Sequence, residues 1–254
     1  MAVGQRPACR APAVAAQAGS RGLGRLAVWV AAALLLGCQP MPEDTPRRTL
    51  ADLTAEEIPP LGPLVATTSE EGALPPERLL AEIDPDAIDN EAVTAAFRLH
   101  LNAARELVGN EPLAVGRSAT RVARKVAKQS AAHRQLFNPG EFNLPPLSYQ
   151  LSDVGSSATA ATHRGAKTQL YSFDGKPAHV VDKEACHFAR TPDGPPITRK
   201  TYDRLAHAAV HAWVTEIDSL TILANNAEMM GVAVAFRDND DHCGDLYVSL
   251  VVTN

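Results

Sequence analysis

Proline is concentrated in one stretch of this chain. Eight of its 19 prolines fall between Gln39 and Pro76, where there is almost no aromatic or periodic pattern. Proline fixes φ and lacks an amide hydrogen, so neither a regular helix nor a central strand can run through such a stretch. Its composition favours extended polyproline II. We therefore expect residues 38–85 to form a semi-stiff tether and residues 86–254 to hold the folded domain.

The segment in front of the tether has the pattern of an export signal. Arg21 and Arg25 precede an apolar run over residues 26–36. That run has about the length of a signal-peptide core and is too short to span a bilayer as a helix. It ends in Leu-Leu-Gly-Cys at Cys38, which resembles a bacterial lipobox. The alternatives are an ordinary signal peptide and a short membrane helix with a chance cysteine.

The lipobox resemblance implies that residues 1–37 are removed and that Cys38 carries the acyl chains of a membrane anchor. Two or three chains anchor stably, whereas one is marginal. Gln39 follows Cys38, and in Gram-negative cells this is similar to the signal for the outer membrane. The net charge of −5 would become −9, because four arginines and no acidic residue leave with the signal. An acidic, anchored protein is not expected to bind nucleic acid.

Apolar periodicity places the regular elements of the domain. It predicts helices over residues 90–108, 118–132 and 198–215, and a C-terminal hairpin with strands at 230–236 and 246–252. Between residues 138 and 199 the pattern weakens, with loops at Pro145 and at residues 157–162 and short strands at 169–173 and 179–181. Helices followed by an antiparallel hairpin indicate an α+β fold.

Two stretches of the domain carry a family resemblance. The first contains Asn102, Arg105, Gly109, Pro112 and Leu113 in the spacing N-x-x-R-x-x-x-G-x-x-P-L. It resembles the first helix, and the loop after it, of the CAP superfamily. That superfamily includes cysteine-rich secretory proteins, venom antigen 5 and plant pathogenesis-related proteins.

The second stretch lies nearer the C-terminus. Trp213 and Glu216 are similar to the family's W-x-x-E, and Glu228 leads to Gly231 as in the family's E-I-G-V-G strand start. The resemblance covers about residues 89–137 and 200–254. It implies an α-β-α sandwich, in which a central antiparallel sheet has helices on both faces.

Many family members have a cleft with two histidines and two glutamates that can hold a divalent metal. Here Glu216 and Glu184 correspond to the carboxylates, while the histidine positions fall on Asp218 and near Asn138. Imidazoles suit zinc, whereas carboxylate and amide oxygens suit harder ions. The resemblance therefore implies a cleft that has lost its histidines, and no cofactor is expected.

Three other histidines could supply metal ligands, with zinc as the alternative cofactor. His207 and His211 are four residues apart, so one helix face would present both imidazoles. His133 could serve if the second helix ended differently. The competing interpretation is a packed or partly exposed pair beside Trp213, without a metal.

A catalytic nucleophile is not evident in the sequence. Ser156, Ser157 and His163 lie close together in the weakly patterned middle segment. No Gly-x-Ser-x-Gly elbow surrounds either serine, and the segment has the small residues of a loop. We therefore expect no hydrolase serine here.

Cys186 and Cys243 are the cysteines that remain after Cys38. In an exported domain two such thiols often pair, and the bond would tie the middle segment to the last hairpin. The alternative is two free thiols.

Taken together, these features predict an envelope lipoprotein whose diverged CAP-like domain binds a glycan, a lipid or a protein and does not catalyse a reaction. A metal-binding or metal-dependent hydrolytic domain is the alternative. A third possibility is an envelope structural protein of an unrelated α+β fold.

Overall fold

A computed structural model describes residues 74–141, 144–215 and 226–254. The predictions for Cys38 and for the tether up to residue 73 concern residues outside these ranges. The helices are α1 (Pro76–Leu79), α2 (Asn90–Leu107), α3 (Arg117–His133), α4 (Leu147–Asp153) and α5 (Tyr202–Thr215). The strands are β1 (Ala114–Val115), β2 (Ala161–Gln169), β3 (His179–Asp182), β4 (His187–Ala189), β5 (Met229–Arg237) and β6 (Asp245–Thr253).

Strands β5 and β6 form the centre of a four-stranded sheet with the order β1-β5-β6-β2. The pairs β5–β6 and β6–β2 are antiparallel over nine residues each, and β1 adds a two-residue parallel pair. Strands β3 and β4 form a separate two-stranded sheet. The α+β class is thus confirmed, and the central sheet is antiparallel apart from β1.

The central sheet is buried on both faces. Along β5, Val232 and Val234 belong to the cluster built with α2 and α5, whereas Ala233 belongs to the cluster built with α3 and α4. A strand turns successive side chains to opposite faces, so an apolar strand in the middle of three layers supplies both clusters. The α-β-α sandwich that the resemblance implies is therefore the architecture observed.

Helix α3 lies unusually close to the sheet at Gly231. A Cβ atom at this position would overlap the backbone of Ala119 and Thr120. Glycine lets the helix backbone pack directly on the strand. The small side chains of the alanines of α3 keep the rest of the helix close to the sheet.

The described packing begins ahead of residue 86. Leu79 of α1 and Ile83 are buried in the cluster of α2 and α5. Arg78 forms an ion pair with Asp89, whose carboxylate also accepts the N–H groups of Glu91 and Ala92 and so caps α2. Part of the stretch assigned to the tether therefore contributes to the core and positions the first long helix.

The three long helices and the C-terminal hairpin confirm the predicted elements to within a few residues. The middle segment differs. The strand predicted at residues 169–173 is wrong, because β2 ends at Gln169 and Tyr171 makes only an isolated bridge with Arg199. The loop predicted at residues 157–162 overlaps the start of β2, and α4 follows directly after Pro146.

Candidate functional site

The residues of the first family-like motif form a structural clamp. The side chain of Asn102 accepts the Leu113 N–H at 2.8 Å and donates to the Leu113 carbonyl at 3.3 Å. Arg105 is completely buried. Its guanidinium donates to the carbonyls of Glu111 at 2.7 Å and Ala227 at 3.0 Å. The motif thus fixes the loop after α2 to the start of β5, which is a role in stability.

Trp213, from the second motif, is a core residue. Its ring lies 5.8 Å from that of Phe97, and its indole N–H donates to the Gly165 carbonyl at 3.1 Å. The side chain therefore joins α2, α5 and β2 in the interior. Glu216 and Asp218 lie outside the described residues.

The two described members of the predicted cleft lie on separate elements. Glu184 is exposed in the turn between β3 and β4, where its N–H donates to the Asp182 carboxylate. Asn138 is exposed in the loop after α3, where its N–H donates to the Glu141 carboxylate. Each backbone N–H is used locally, and among the hydrogen bonds of the described residues none joins Glu184 to Asn138.

Cys186 and Cys243 form the predicted disulfide bond. It links the turn between β3 and β4 to the loop between β5 and β6. Both residues have left-handed backbones, with φ of 53° and 59°. The middle segment is thereby attached to the central sheet by a covalent bond as well as by packing.

A row of histidines lies between α2 and α5. The carboxylate of Asp203 accepts a hydrogen bond from His100 at 2.8 Å, and both side chains are buried. The ring of His207 lies 5.3 Å from that of His100, and the ring of His211 lies 6.0 Å from His207. Sequence reasoning found the two histidines of α5 but missed His100 and Asp203, because their partners are distant in the chain.

The described residues do not form the donor set of a metal centre. Within those ranges no group of three or more His, Cys, Asp or Glu side chains could hold a metal ion. His133 is exposed at the end of α3, where its ring contacts Phe137. Glu184 and Asn138 are the described residues at the family's cleft positions. On their own, they therefore do not fit a metal.

A half-buried histidine that contacts a buried serine on the other face of the sheet was also missed. His163 Nε2 of β2 lies 2.9 Å from the Ser249 Oγ of β6. Ser249 is 1% exposed, so its hydroxyl is inaccessible to a substrate. Burial lowers the pKa of His163 to about 4; Arg164 lowers it further and Glu141 opposes the shift. The neutral imidazole is a structural partner of the serine.

This pair predicts a pH-dependent stability. As the pH falls from about 6.5 to about 4, His163 gains a proton in the unfolded chain but stays neutral in the folded one. The free energy of unfolding should therefore fall, by up to about 3 kcal/mol from this group. Denaturant unfolding of the protein and of His163→Gln, from pH 7 to pH 4, measures the effect.

The comparison with the variant isolates the contribution. The stability advantage of the parent over His163→Gln should shrink as the pH falls. Parallel profiles for the parent and His163→Gln would show that this imidazole does not titrate as described.

Comparisons with known proteins found similar solved structures but no matching sequence family. No model of a protein family matches the chain, and no curated protein matches it. A cysteine-rich secretory protein from Staphylococcus aureus is 14% identical with a TM-score of 0.40, over 65% of this chain and 39% of that protein. An outer surface protein from Borrelia burgdorferi is 11% identical with a TM-score of 0.43, over 66% of this chain and 96% of that protein.

A third neighbour is an extracellular protein containing a SCP domain from Bacillus anthracis. It is 11% identical with a TM-score of 0.41, over 66% of this chain and 44% of that protein. The printed names of two of these three neighbours, a cysteine-rich secretory protein and a protein with a SCP domain, belong to the group that the two sequence motifs resemble. The chain spans less than half of the Staphylococcus and Bacillus proteins. In the described part of this chain, none of the helices has the length and apolar character needed to cross a membrane.

Proposed function

We propose that this chain is a lipoprotein of the cell envelope, anchored through Cys38 in the outer membrane of a Gram-negative bacterium. Its tether holds a diverged CAP-like domain away from the membrane. The domain binds an envelope ligand, which is a glycan, a lipid or a protein, and does not catalyse a reaction.

The observation that carries this proposal is the Cys186–Cys243 disulfide. The cytoplasm keeps thiols reduced, so a structural disulfide supports a domain that folds outside it. The lipobox-like Leu-Leu-Gly-Cys at Cys38 supplies a reason for export and a point of attachment.

The use of the polar side chains supports binding over catalysis. Arg105 donates hydrogen bonds to backbone carbonyls, and His100 is hydrogen-bonded to a buried carboxylate. Ser249 is buried within the sheet. A catalytic group has to reach substrate, and a buried group that is committed to structure does not.

The anchor is tested by replacing Cys38 with serine in the full chain expressed in a Gram-negative host. Cells are fed an alkyne analogue of palmitate, and lipid incorporation and membrane fractionation are measured. We expect the parent protein to be labelled and to sediment with outer membranes. Cys38→Ser should lose the label, because the thiolate that receives the diacylglyceryl group is gone.

Cys9→Ser is the matched control, since it removes a cysteine of the same N-terminal segment that lies ahead of the apolar run. It should be labelled like the parent. Undiminished labelling of Cys38→Ser, or a parent protein without label, would refute the lipid anchor.

A metal-binding domain is the second candidate function. It rests on the ring contacts from His100 through His207 to His211, although no group of three or more possible donors among the described residues could hold a metal ion. Stoichiometric zinc in the purified full chain would favour this function over metal-free binding, and its absence would remove the alternative.

A further inference from the structure

Strand β5 is paired along its full length on one side only. Its nine residues all pair with β6, whereas β1 pairs with Met229 and Met230 alone. The last bond to β1 runs from the Gly116 N–H to the Met230 carbonyl at 2.8 Å, and the chain then enters α3. Beyond Met230, no strand of the described ranges covers this edge.

The open part of the edge presents backbone groups. Because the carbonyl of Met230 faces β1, the two-residue period of a strand turns the N–H and C=O groups of Val232, Val234 and Phe236 to the same side. Such an edge is a template for another extended segment. From Val232 to Arg237 it measures roughly 20 Å at the rise of a strand.

Two cavities lie along this edge, and we call them together the edge groove. The first, of about 480 Å³, is lined by Val232, by residues of α2 and α3, by Val115 of β1 and by Leu74 ahead of α1. The second, of about 450 Å³, is lined by residues 234–237, by residues of α3, by Asn90 of α2 and by the loop before α2. Asn90 lines both. Helix α2 with the loop before it forms one wall, helix α3 forms the other, and the strand edge forms the floor.

The edge groove is basic, although the protein is acidic overall. Arg98, Arg124, Lys128 and Arg237 line it, against two carboxylates at Asp86 and Glu91. One of these carboxylates, Glu91, already pairs with an arginine of α1 at 3.0 Å. On a chain with a net charge of −5, a concentration of cations at an open strand edge favours an anionic occupant.

We propose that the edge groove binds an extended acidic segment of a partner protein, which adds a strand to β5. Main-chain hydrogen bonds to Val232, Val234 and Phe236 supply affinity, as in other cases of strand addition. Alternate side chains of the bound segment face the two walls. Apolar ones contact Ala95 and Ile88 beside α2, and acidic ones meet Arg124 and Lys128 of α3.

This inference deepens the proposed function, because it names the class of ligand as polypeptide. It rests on the proposed function for the location of the protein in the envelope. Peptide binding is measured with purified full chain in solution, whereas anchoring is measured by lipid labelling at Cys38. One can therefore fail while the other holds.

The probe is a fluorescein-labelled nine-residue peptide in which valine alternates with glutamate, and binding is measured by fluorescence anisotropy at low salt. We expect saturable binding that weakens as salt is added, and at least tenfold weaker binding of a counterpart with lysine in place of glutamate. Equal binding of the two peptides would overturn the proposal.

Backbone pairing is tested on the probe, so that the fold of the protein is untouched. N-methyl groups are placed either on all valine amides or on all glutamate amides. A strand that adds to an edge turns alternate amides toward it. One methylated peptide should therefore lose binding at least tenfold while the other keeps it. Equal effects of the two patterns would exclude strand addition.

The site is tested by Arg124→Glu with Lys128→Glu, two exposed positions of α3. Binding should weaken at least tenfold. The matched control is Arg121→Glu with Lys125→Glu, which makes the same charge change at exposed positions of α3 that do not line the groove. Equal loss in the two double variants would show a general charge effect and refute the site.

Two other occupants are distinguished in the same experiment. If probe binding requires deletion of residues 39–73, the groove belongs to the chain's own N-terminal segment. If the protein is a dimer by light scattering and the Arg124→Glu, Lys128→Glu variant is a monomer, it belongs to a second copy. Either result overturns the proposal.

Discussion

Replacing Cys186 and Cys243 together by serine is expected to lower the free energy of unfolding by about 4 kcal/mol. The cysteines are separated by 57 positions, and a cross-link over a loop of this length removes that much chain entropy from the unfolded state. Urea unfolding of the parent and variant under non-reducing conditions measures the loss. Reduction of the parent with dithiothreitol should reproduce it.

A second pair of substitutions distinguishes the effect of the disulfide from the effect of the backbone conformation at the two cysteines. Both cysteines have positive φ, which disfavours side chains and suits glycine. The variant with glycine at both positions should therefore be more stable than the serine pair by about 1 kcal/mol. A serine pair within 1 kcal/mol of the parent would mean that packing alone attaches the middle segment.

Replacing Arg105 by alanine should cost about 3–5 kcal/mol. The substitution leaves the carbonyls of Glu111 and Ala227 without their donor and opens a cavity at a fully buried position. Arg105→Lys should restore little of the lost free energy of unfolding. A single ammonium group cannot reproduce the hydrogen-bond geometry of the planar guanidinium. The midpoint of denaturant unfolding, with its slope, measures both variants.

Arg121→Ala is the control for this prediction, since it removes an exposed arginine of α3. Its free energy of unfolding should stay within about 0.5 kcal/mol of the parent. If Arg105→Ala is equally mild, the spacing of the first motif does not reflect a clamp between α2 and β5.

Elements with strong local patterns were predictable. In α2 and α3 the apolar stripe repeats at helical spacing, and Phe97 and Val126 are buried as that repeat requires. The hairpin of β5 and β6 combines β-branched residues with a polar loop, so its two strands followed from its sequence. The two cysteines were identified by their number and their expected compartment.

Strand β2 and the polar pairs were not predictable in this way. The strand contains His163, Arg164, Gly165 and Lys167, so it has no apolar period. It is a strand because nine of its residues pair with β6 at the edge of the sheet, where polar side chains are tolerated. His100 and Asp203 are 103 positions apart, and only the packing of α2 on α5 brings them together.

The sequence by itself determined the α+β class, the long helices and the final hairpin, because these follow from local periodicity, and it marked Cys38 as the expected anchor. The tertiary structure decided what the motifs do. Asn102, Arg105 and Trp213 became internal supports, since burial and distant partners determine whether a polar group is structural or accessible. The tertiary structure also leaves most of the outer edge of β5 open, because β1 pairs with only two of its residues before α3 begins. No local sequence pattern encodes the length of β1.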